Sequence, residues 1–435
     1  MTGALAGEGF RDAACLIPGA LARGGNRSAA VGWPPRSAYL HIPFCHRRCF
    51  YCDFPVVPLG DRASAAAGAP GSASIQAYLQ LLHREIEGAP AGPPLSTVYV
   101  GGGTPSLLSA EQLRDLLQAL RRRFGLAPGA EVSLELDPAS FDQTRLAAYV
   151  AAGVNRVSLG GQSFDDAVLE RLGRRHRRAD LLEAAGWLRQ AQCNGRLQSW
   201  SLDLIQAVPG QTLAGWQEQL TQAIALKPPH LSIYDLIVEP GTVFERLERR
   251  GALDLPDSDL AADLMELTAR RLAAAGYGHY EISNYAWPGH ASRHNRVYWS
   301  GGGWWGFGMG ATSAPWGERL ARPRTREAYA AWLEQADGAL GLGAGEPAAP
   351  GGVGMPLDER LMVGLRRREG VLLEAPVALQ HRWEPFLEQG LLLREGPRWR
   401  LRDPEGLALS NAVLRELLAW WDEQGSGAEA LPPSL

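Results

Sequence analysis

Six short apolar runs alternate with amphipathic segments between Tyr39 and about Asp235, and this rhythm constrains the fold more than any other feature of the chain. The runs are Ala38–Ile42, Thr97–Gly101, Val132–Leu136, Arg156–Gly160, Ser201–Ile205 and Leu231–Leu236. Near-continuous apolar strands of this kind suit a parallel sheet buried on both faces. In Ser109–Arg123, Leu113, Leu116, Leu117 and Leu120 share one helical face, and Ser109 with Gln112 predicts a capping box. Leu213, Trp216, Leu220 and Ile224 form a second stripe. Six β-α repeats predict an α/β fold, a partial (β/α)6 barrel of the TIM type, with function at the C-terminal ends of its strands.

Three of the five cysteines fall within eight residues, as Cys45, Cys49 and Cys52 in a CxxxCxxC array. Structural zinc normally takes four protein ligands in two separated pairs. No second pair exists here, and only His41 or His46 completes a local zinc set. An iron–sulfur cluster on three thiolates differs in leaving one iron open to an external ligand. The spacing favours that cluster and leaves zinc as the alternative. The Gly-rich "YVGGGTPSLL" (99–108) follows the second predicted strand, where glycines let the backbone approach a ligand closely. Cys15 and Cys193 read as isolated thiols, not as half of a disulfide framework.

The formal net charge is −4, with 46% hydrophobic and 21% charged residues. That balance gives no support to a role driven by charge on nucleic acids or membrane surfaces, and no apolar run is long enough for a span. Residues 1–36 read as a flexible extension without the pattern of a secretory leader, and the expected location is the cytoplasm. Residues 37–337 form the core, in which 59–75 reads as a flexible Gly/Ala-rich loop. Residues 338–356 are a linker, 357–425 a small helical domain with a hairpin, winged-helix-like, and 426–435 a tail. Its arginines, Arg366, Arg367, Arg368, Arg398, Arg400 and Arg402, are mixed with glutamates, so nucleic acid is not an expected partner.

The segments "YLHIPFCHRRCFYC", "GGGTPS", "SLELDP", "NRVSLGGQSF", "LGRRH" and "SLDLIQAVPGQT" appear in this order. They resemble the motifs of radical S-adenosylmethionine (SAM) proteins, in the branch of oxygen-independent coproporphyrinogen III oxidase. The resemblance runs from about Tyr39 to about Asn411. It implies a [4Fe-4S] cluster on Cys45, Cys49 and Cys52 whose open iron takes SAM. It further implies SAM contacts at Tyr39, Tyr51, Gly102, Gly103, Thr104, Glu135, Gln162, Arg174, Asp203 and Ile237. The chemistry suits these types: Glu135 accepts from the amino group or ribose, Arg174 meets the carboxylate, Gln162 and Asp203 hold ribose hydroxyls, and Tyr51 and Ile237 face adenine. Taken alone, Glu135 and Arg174 also read as an ordinary ion pair.

Within the branch, the decarboxylating oxidase continues its motif with a fourth cysteine, and here that position is Phe54 in "CDF". The branch's haem-chaperone group carries "CDF" and an HNxxYW element, present as His294, Asn295, Tyr298 and Trp299. Resemblance to that group implies haem as cargo, delivered to haem-requiring proteins such as membrane-bound respiratory complexes. Coproporphyrinogen III oxidation is the alternative function. His294 is the candidate haem ligand, against the plainer reading of a histidine that hydrogen-bonds a loop. His290, His279, His176 or a thiolate are alternatives. A zinc-stabilised interaction module without SAM is a third class, which leaves Glu135, Arg174 and Asp203 without a role. The residues name neither the electron donor nor the recipient.

Overall fold

In the computed structural model, residues 34–317, 319–335 and 355–423 are described. Most of the expected N-terminal extension, most of the linker, the tail and Cys15 lie outside them. All six predicted strands form: β1 Ser37–Ile42, β2 Leu95–Gly102, β3 Leu126–Leu136, β4 Arg156–Gln162, β5 Ser199–Gln206 and β6 His230–Asp235; the first five extend beyond their apolar runs, and β6 is shifted by one residue. They pair in parallel in chain order. Two antiparallel strands, β7 Gly278–Glu281 and β8 Asn284–Ala286, extend the β6 edge, and β9 Trp305–Phe307 adds in parallel beside β1. The result is an open nine-stranded α/β sheet in which β1 to β6 supply the six-repeat core; the sheet does not close on itself.

Strand alternation divides its two faces. Leu40, Val98, Val100, Leu134, Leu159, Leu202 and Leu231 point to one side and are buried against the crossover helices. On the other side, register aligns Tyr39 with Tyr99, Glu135 with Ser158, and Asp203 with Ser232. Both faces are buried as the apolar runs imply, but the inner one is polar. The crossover helices include α1 Ser72–Gly88, α2 Ala110–Arg123 and α3 Leu213–Leu226. Ser109 caps α2 in the expected capping box, with Leu113, Leu116, Leu117 and Leu120 buried. On α3, Trp216 and Leu220 are buried, whereas Leu213 in the first turn is exposed, a departure from the expected stripe. The segment 59–75 is also less loop-like than expected: Ser72–Ile75 are the first turn of α1, and Ala63 is buried.

Beyond residue 355 a second apolar cluster, including Leu361, Leu379, Trp383, Trp399 and Trp420, forms around a three-stranded antiparallel sheet. Three helices, Leu357–Leu365, Val377–Glu388 and Ser410–Glu423, pack with it. This unit joins the core through the Ile282 amide, which donates to the Arg366 carbonyl, and through His279 Nδ1, 2.8 Å from Asp403 Oδ1. Arg400 pairs with Glu395 and Arg367 with Glu369, so two of its candidate arginines are matched by acids. Among the described residues, no helix is long and apolar enough to cross a membrane.

One buried network fixes the start of the cysteine loop. Glu85 on α1 accepts from Arg322 Nε at 2.7 Å, the Gly308 amide at 2.7 Å and the Tyr329 hydroxyl at 2.6 Å. Tyr78, two turns earlier on the same face of α1, donates to the His41 carbonyl at 2.6 Å. Glu85 and Arg322 are both nearly inaccessible, so neither tolerates loss of the other. Arg322→Ala is expected to cost roughly 3–5 kcal/mol of unfolding free energy. Urea denaturation measures it, and a loss below about 1 kcal/mol would show that the pair contributes little.

Candidate functional site

A cavity of about 380 Å³ opens at the C-terminal ends of β2 to β6. Its wall includes Cys45, Cys49, Cys52, Tyr51, Gly102, Gly103, Thr104, Glu135, Gln162, Arg174, Asp203 and Ile237. Twelve of the thirteen positions implied for the cluster and SAM therefore share one cavity. Tyr39 does not reach it. Its hydroxyl lies 3.0 Å from His41 Nδ1 and its ring stacks with Tyr99, one layer deeper.

The cysteines ride on a loop pinned by its backbone. The Thr104 amide donates to Phe44 O at 2.6 Å, Leu59 N to Cys45 O at 2.8 Å, and Phe50 N to Leu172 O at 3.0 Å. Burial pushes the Cys45 thiol up to about 12 and the Cys52 thiol to about 11. Both therefore stay protonated near neutrality unless a metal displaces the proton. Among the described residues, no three His, Cys, Asp or Glu side chains already stand in metal-binding geometry, so the thiols must turn toward one another to share a cluster.

The fit rests on the donor set and on the glycines beside it. Gly103 runs so close to the loop that a Cβ there would lie 2.6 Å from Phe44 O and 2.8 Å from Cys45 Sγ. Gly102 has φ +118° and abuts the His41 ring, a conformation that favours glycine. For zinc, the local fourth ligands are poorly placed. His41 is buried with both ring nitrogens engaged, to Tyr39 and to Pro55 O. His46 uses Nδ1 on Gly60 O and keeps only Nε2.

Two of the carboxylates on the cavity wall, Glu135 and Asp203, are hydrogen-bonded yet raised by burial. Glu135 accepts from Tyr99 Oη at 2.9 Å and from the Gly102 amide at 3.0 Å. Burial nevertheless raises its carboxyl to about 7. Asp203 accepts from Ser158 at 2.6 Å and from Ser201 at 3.1 Å, and burial raises it as well. Ile237, 48% exposed, stands at the mouth with Phe54 at 51% and Tyr234 at 41%.

Arg174 lines the cavity beside the cysteine loop. Its Nη2 donates to Asp137 Oδ2 at 2.6 Å and to Gly160 O at 3.0 Å, and Nη1 lies 3.6 Å from Cys49 Sγ. Burial opposes charge on Asp137, but Arg174 and His176 hold its carboxyl well below the usual range. Sequence reasoning missed Asp137. Strand period two was the available signal, since Glu131, Ser133, Glu135 and Asp137 fall on one side of the chain. Ser158, Ser201 and Tyr99 were missed for want of register.

His294, the candidate haem ligand, does not line the cavity. It lies on the short helix α4 Arg293–Trp299, is buried, and stacks on Tyr99 at 5.2 Å. Its Nδ1 meets Thr97 Oγ1 and its Nε2 the Tyr298 hydroxyl, both at 2.8 Å. Both ring nitrogens are thus engaged in this structure. His279 likewise has both nitrogens engaged, and His176 is fully buried with Nε2 on Gly161 O. His290 is half-buried and does not line the cavity. Of the nine histidines, His46 alone among those lining the cavity keeps an open nitrogen.

Gly103→Ala tests the close approach of the two loops. Anaerobic reconstitution is expected to load less than about a tenth of the wild-type iron and sulfide, because the neighbouring contact is backbone and cannot yield. Wild-type loading would show that the loops have slack.

A model of the radical SAM superfamily matches residues 39–220. The chain is 42% identical over 417 residues to the heme chaperone HemW of Synechocystis, covering 89% of this chain and 98% of that one. It is 38% identical to the heme chaperone HemW of Mycobacterium tuberculosis, covering 94% and 99%. Identity is 34% with the mitochondrial radical S-adenosyl methionine domain-containing protein 1 of Bos taurus, over 91% and 90%. Among solved structures, Escherichia coli coproporphyrinogen III oxidase shares the fold with a TM-score of 0.68 at 21% identity, covering 89% of this chain and 91% of that one. Identity at this level over nearly the whole chain places the protein in the HemW haem-chaperone family of the radical SAM superfamily.

Proposed function

We propose that the protein binds haem and hands it to haem-requiring acceptors, membrane-bound respiratory components among them, from the cytoplasm. In this reading a [4Fe-4S] cluster sits on Cys45, Cys49 and Cys52, with SAM beside it. The cluster supplies one-electron chemistry and an open iron. The chain's own groups do the holding: Gly102, Gly103 and Thr104 bring backbone and a hydroxyl close to the methionine end of SAM. Glu135, Gln162 and Asp203 offer acceptors for amino and ribose groups, and Tyr51 and Ile237 give apolar surface.

The observation that carries the haem reading is the mouth of the cavity. Exposed Phe54, Tyr234 and Ile237 gather there, and an apolar macrocycle covers such a surface at low desolvation cost. Arg47 and Arg48 flank it with cations suited to propionates. His46 Nε2 is the free axial donor, its ring oriented by the Nδ1 bond to Gly60 O as ligating histidines are elsewhere. Phe54 in place of a fourth cysteine speaks against coproporphyrinogen decarboxylation.

An anaerobic assay of the reconstituted full chain decides between the two functions. With coproporphyrinogen III, SAM and reductant, no product lacking two carboxylates is expected, and one haem per chain is expected on titration. Decarboxylated product would reverse the assignment. His46→Ala is expected to weaken haem binding by about tenfold and to shift the Soret band. Unchanged titration and spectrum would move the ligand elsewhere while leaving haem binding intact.

Glu135 gives SAM binding a pH dependence. A carboxyl raised to about 7 is ionised only above that pH, and its ionisation costs folding stability as pH rises from the unfolded value near 4.5 through the folded one. SAM brings an ammonium and a sulfonium, so its affinity is expected to rise roughly tenfold from pH 6 to 8. In Glu135→Gln the profile is expected to be flat; an equal slope in both proteins would assign the dependence to another group.

A further inference from the structure

On the inner face of the sheet, Arg156 Nη2, His230 Nδ1 and Ser133 Oγ are buried without a hydrogen-bond partner among the described residues. The three residues are 6%, 1% and 1% exposed. Ser133 on β3 and Arg156 on β4 are register partners, and Arg156 is aligned in turn with Ser199 on β5. His230 opens β6. One loop, 290–292, ties them together. The His290 carbonyl accepts from Arg156 Nη1 at 2.9 Å, and the His290 ring Nδ1 lies 3.0 Å from Ser199 Oγ. The Ser292 amide donates at 3.4 Å to the Tyr280 hydroxyl, which lies 2.8 Å from His230 Nε2.

Hydrogen-bond accounting places the proton on His230. Tyr280 Oη accepts from the Ser292 amide and from the Asn295 side chain, which occupies both of its lone pairs. Its own proton is then directed at His230 Nε2, so Nδ1 carries the ring hydrogen. The ring is neutral, since burial and then the charges of Arg156 and His290 hold its pKa well below the usual value. Two N–H groups, on Arg156 and His230, therefore lack acceptors. The charge of Arg156 is poorly matched as well. Among the described residues, no carboxylate comes closer to it than Glu131 Oε2, 3.9 Å from Nη1. Glu131 is itself engaged by the Ser292 hydroxyl and by the Arg293 and His294 amides. A buried donor without an acceptor and a buried charge without a close counter-ion are both costly. A water relieves only the first; a small anion relieves both.

We propose that Ser133, Arg156 and His230 hold a small inorganic anion of halide size, with Arg156 Nη2 and His230 Nδ1 as its donors and the Ser133 hydroxyl turned toward it. None of the three lines the cavity at the strand ends, so the site stands apart from those read for SAM and haem. Its anion is structural: it joins β3, β4 and β6 where direct side-chain pairing runs out.

The test uses bromide as the probe. The full chain is crystallised from chloride-free gluconate and soaked in sodium bromide. An anomalous bromine peak in contact with Arg156 Nη2 and His230 Nδ1 is expected. A water there without anomalous signal would overturn the proposal, and so would bromide at surface positions alone, an adventitious ion only. In solution, urea unfolding at constant ionic strength compares bromide with gluconate. The wild-type unfolding constant is expected to fall about tenfold when bromide reaches about nine times its dissociation constant. His230→Gln presents an amide oxygen to the Tyr280 hydroxyl and lacks the Nδ1 donor, so bromide affinity is expected to fall about tenfold. Equal stabilisation of both proteins by bromide would remove His230 from the site and overturn the proposal. If His230→Gln does not fold, the wild-type crystal decides alone.

Discussion

The constraint on which the structure depends is the burial of polar side chains on the inner face of a parallel sheet. The outer face packs conventionally, aliphatic side chains against amphipathic helices. The inner face carries Thr97, Tyr99, Glu131, Ser133, Glu135, Arg156, Ser158 and Asp203, largely withdrawn from water. A buried donor or acceptor left unpaired costs about 1–3 kcal/mol, so these side chains bond across strands. Ser158 Oγ joins Ser201 Oγ at 2.8 Å and Asp203; Tyr99 joins Glu135; and Glu131 accepts from the His294 amide at 3.0 Å. Register is thereby fixed twice, by apolar packing outside and by polar pairing inside. The same pairing leaves the cavity walls rigid at the strand ends.

That inner order explains what could be read from the chain and what could not. The six strands were legible because their outward residues are apolar over four to eight positions, a signal independent of partners. The cysteine array and the Gly102–Gly103 turn were legible because their spacing is local. Asp137 and Arg174 are 37 residues apart, and nothing in either neighbourhood says that they meet. Arg174 was legible as a residue of the cavity but its pairing with Asp137 was not, because residue type and strand end do not say which acid faces it. Tyr39 stacks on Tyr99, whose hydroxyl meets Glu135 on the cavity wall, a layering that strand position alone does not reveal.

The HNxxYW element shows a different limit. Its histidine, tyrosine and tryptophan look like the makings of a haem pocket, yet a helix places residues four apart on one face, and here that turns His294 and Tyr298 toward each other. Ligation needs a free nitrogen lone pair. Both nitrogens of His294 are already hydrogen-bonded, and burial lowers its pKa to about 3, which keeps the ring neutral so that Thr97 and Tyr298 share one donor and one acceptor with it. Helix α4 is therefore a plug inside the sheet, stacked on Tyr99 and bonded to Glu131.

A plugged floor assigns traffic to the opposite end. With α4 packed on the inner face below Tyr99, the cavity opens at the strand ends, where the cysteine loop, the Gly103 turn and the apolar mouth converge. The hydroxyl of Tyr99 bonds Glu135, and the ring of Tyr99 rests on His294. The plug thus supports the carboxylate that faces the cavity through a single intervening side chain. Loss of the His294 ring would remove that support and open a void beneath Tyr99, so the element holds Glu135 in place from below.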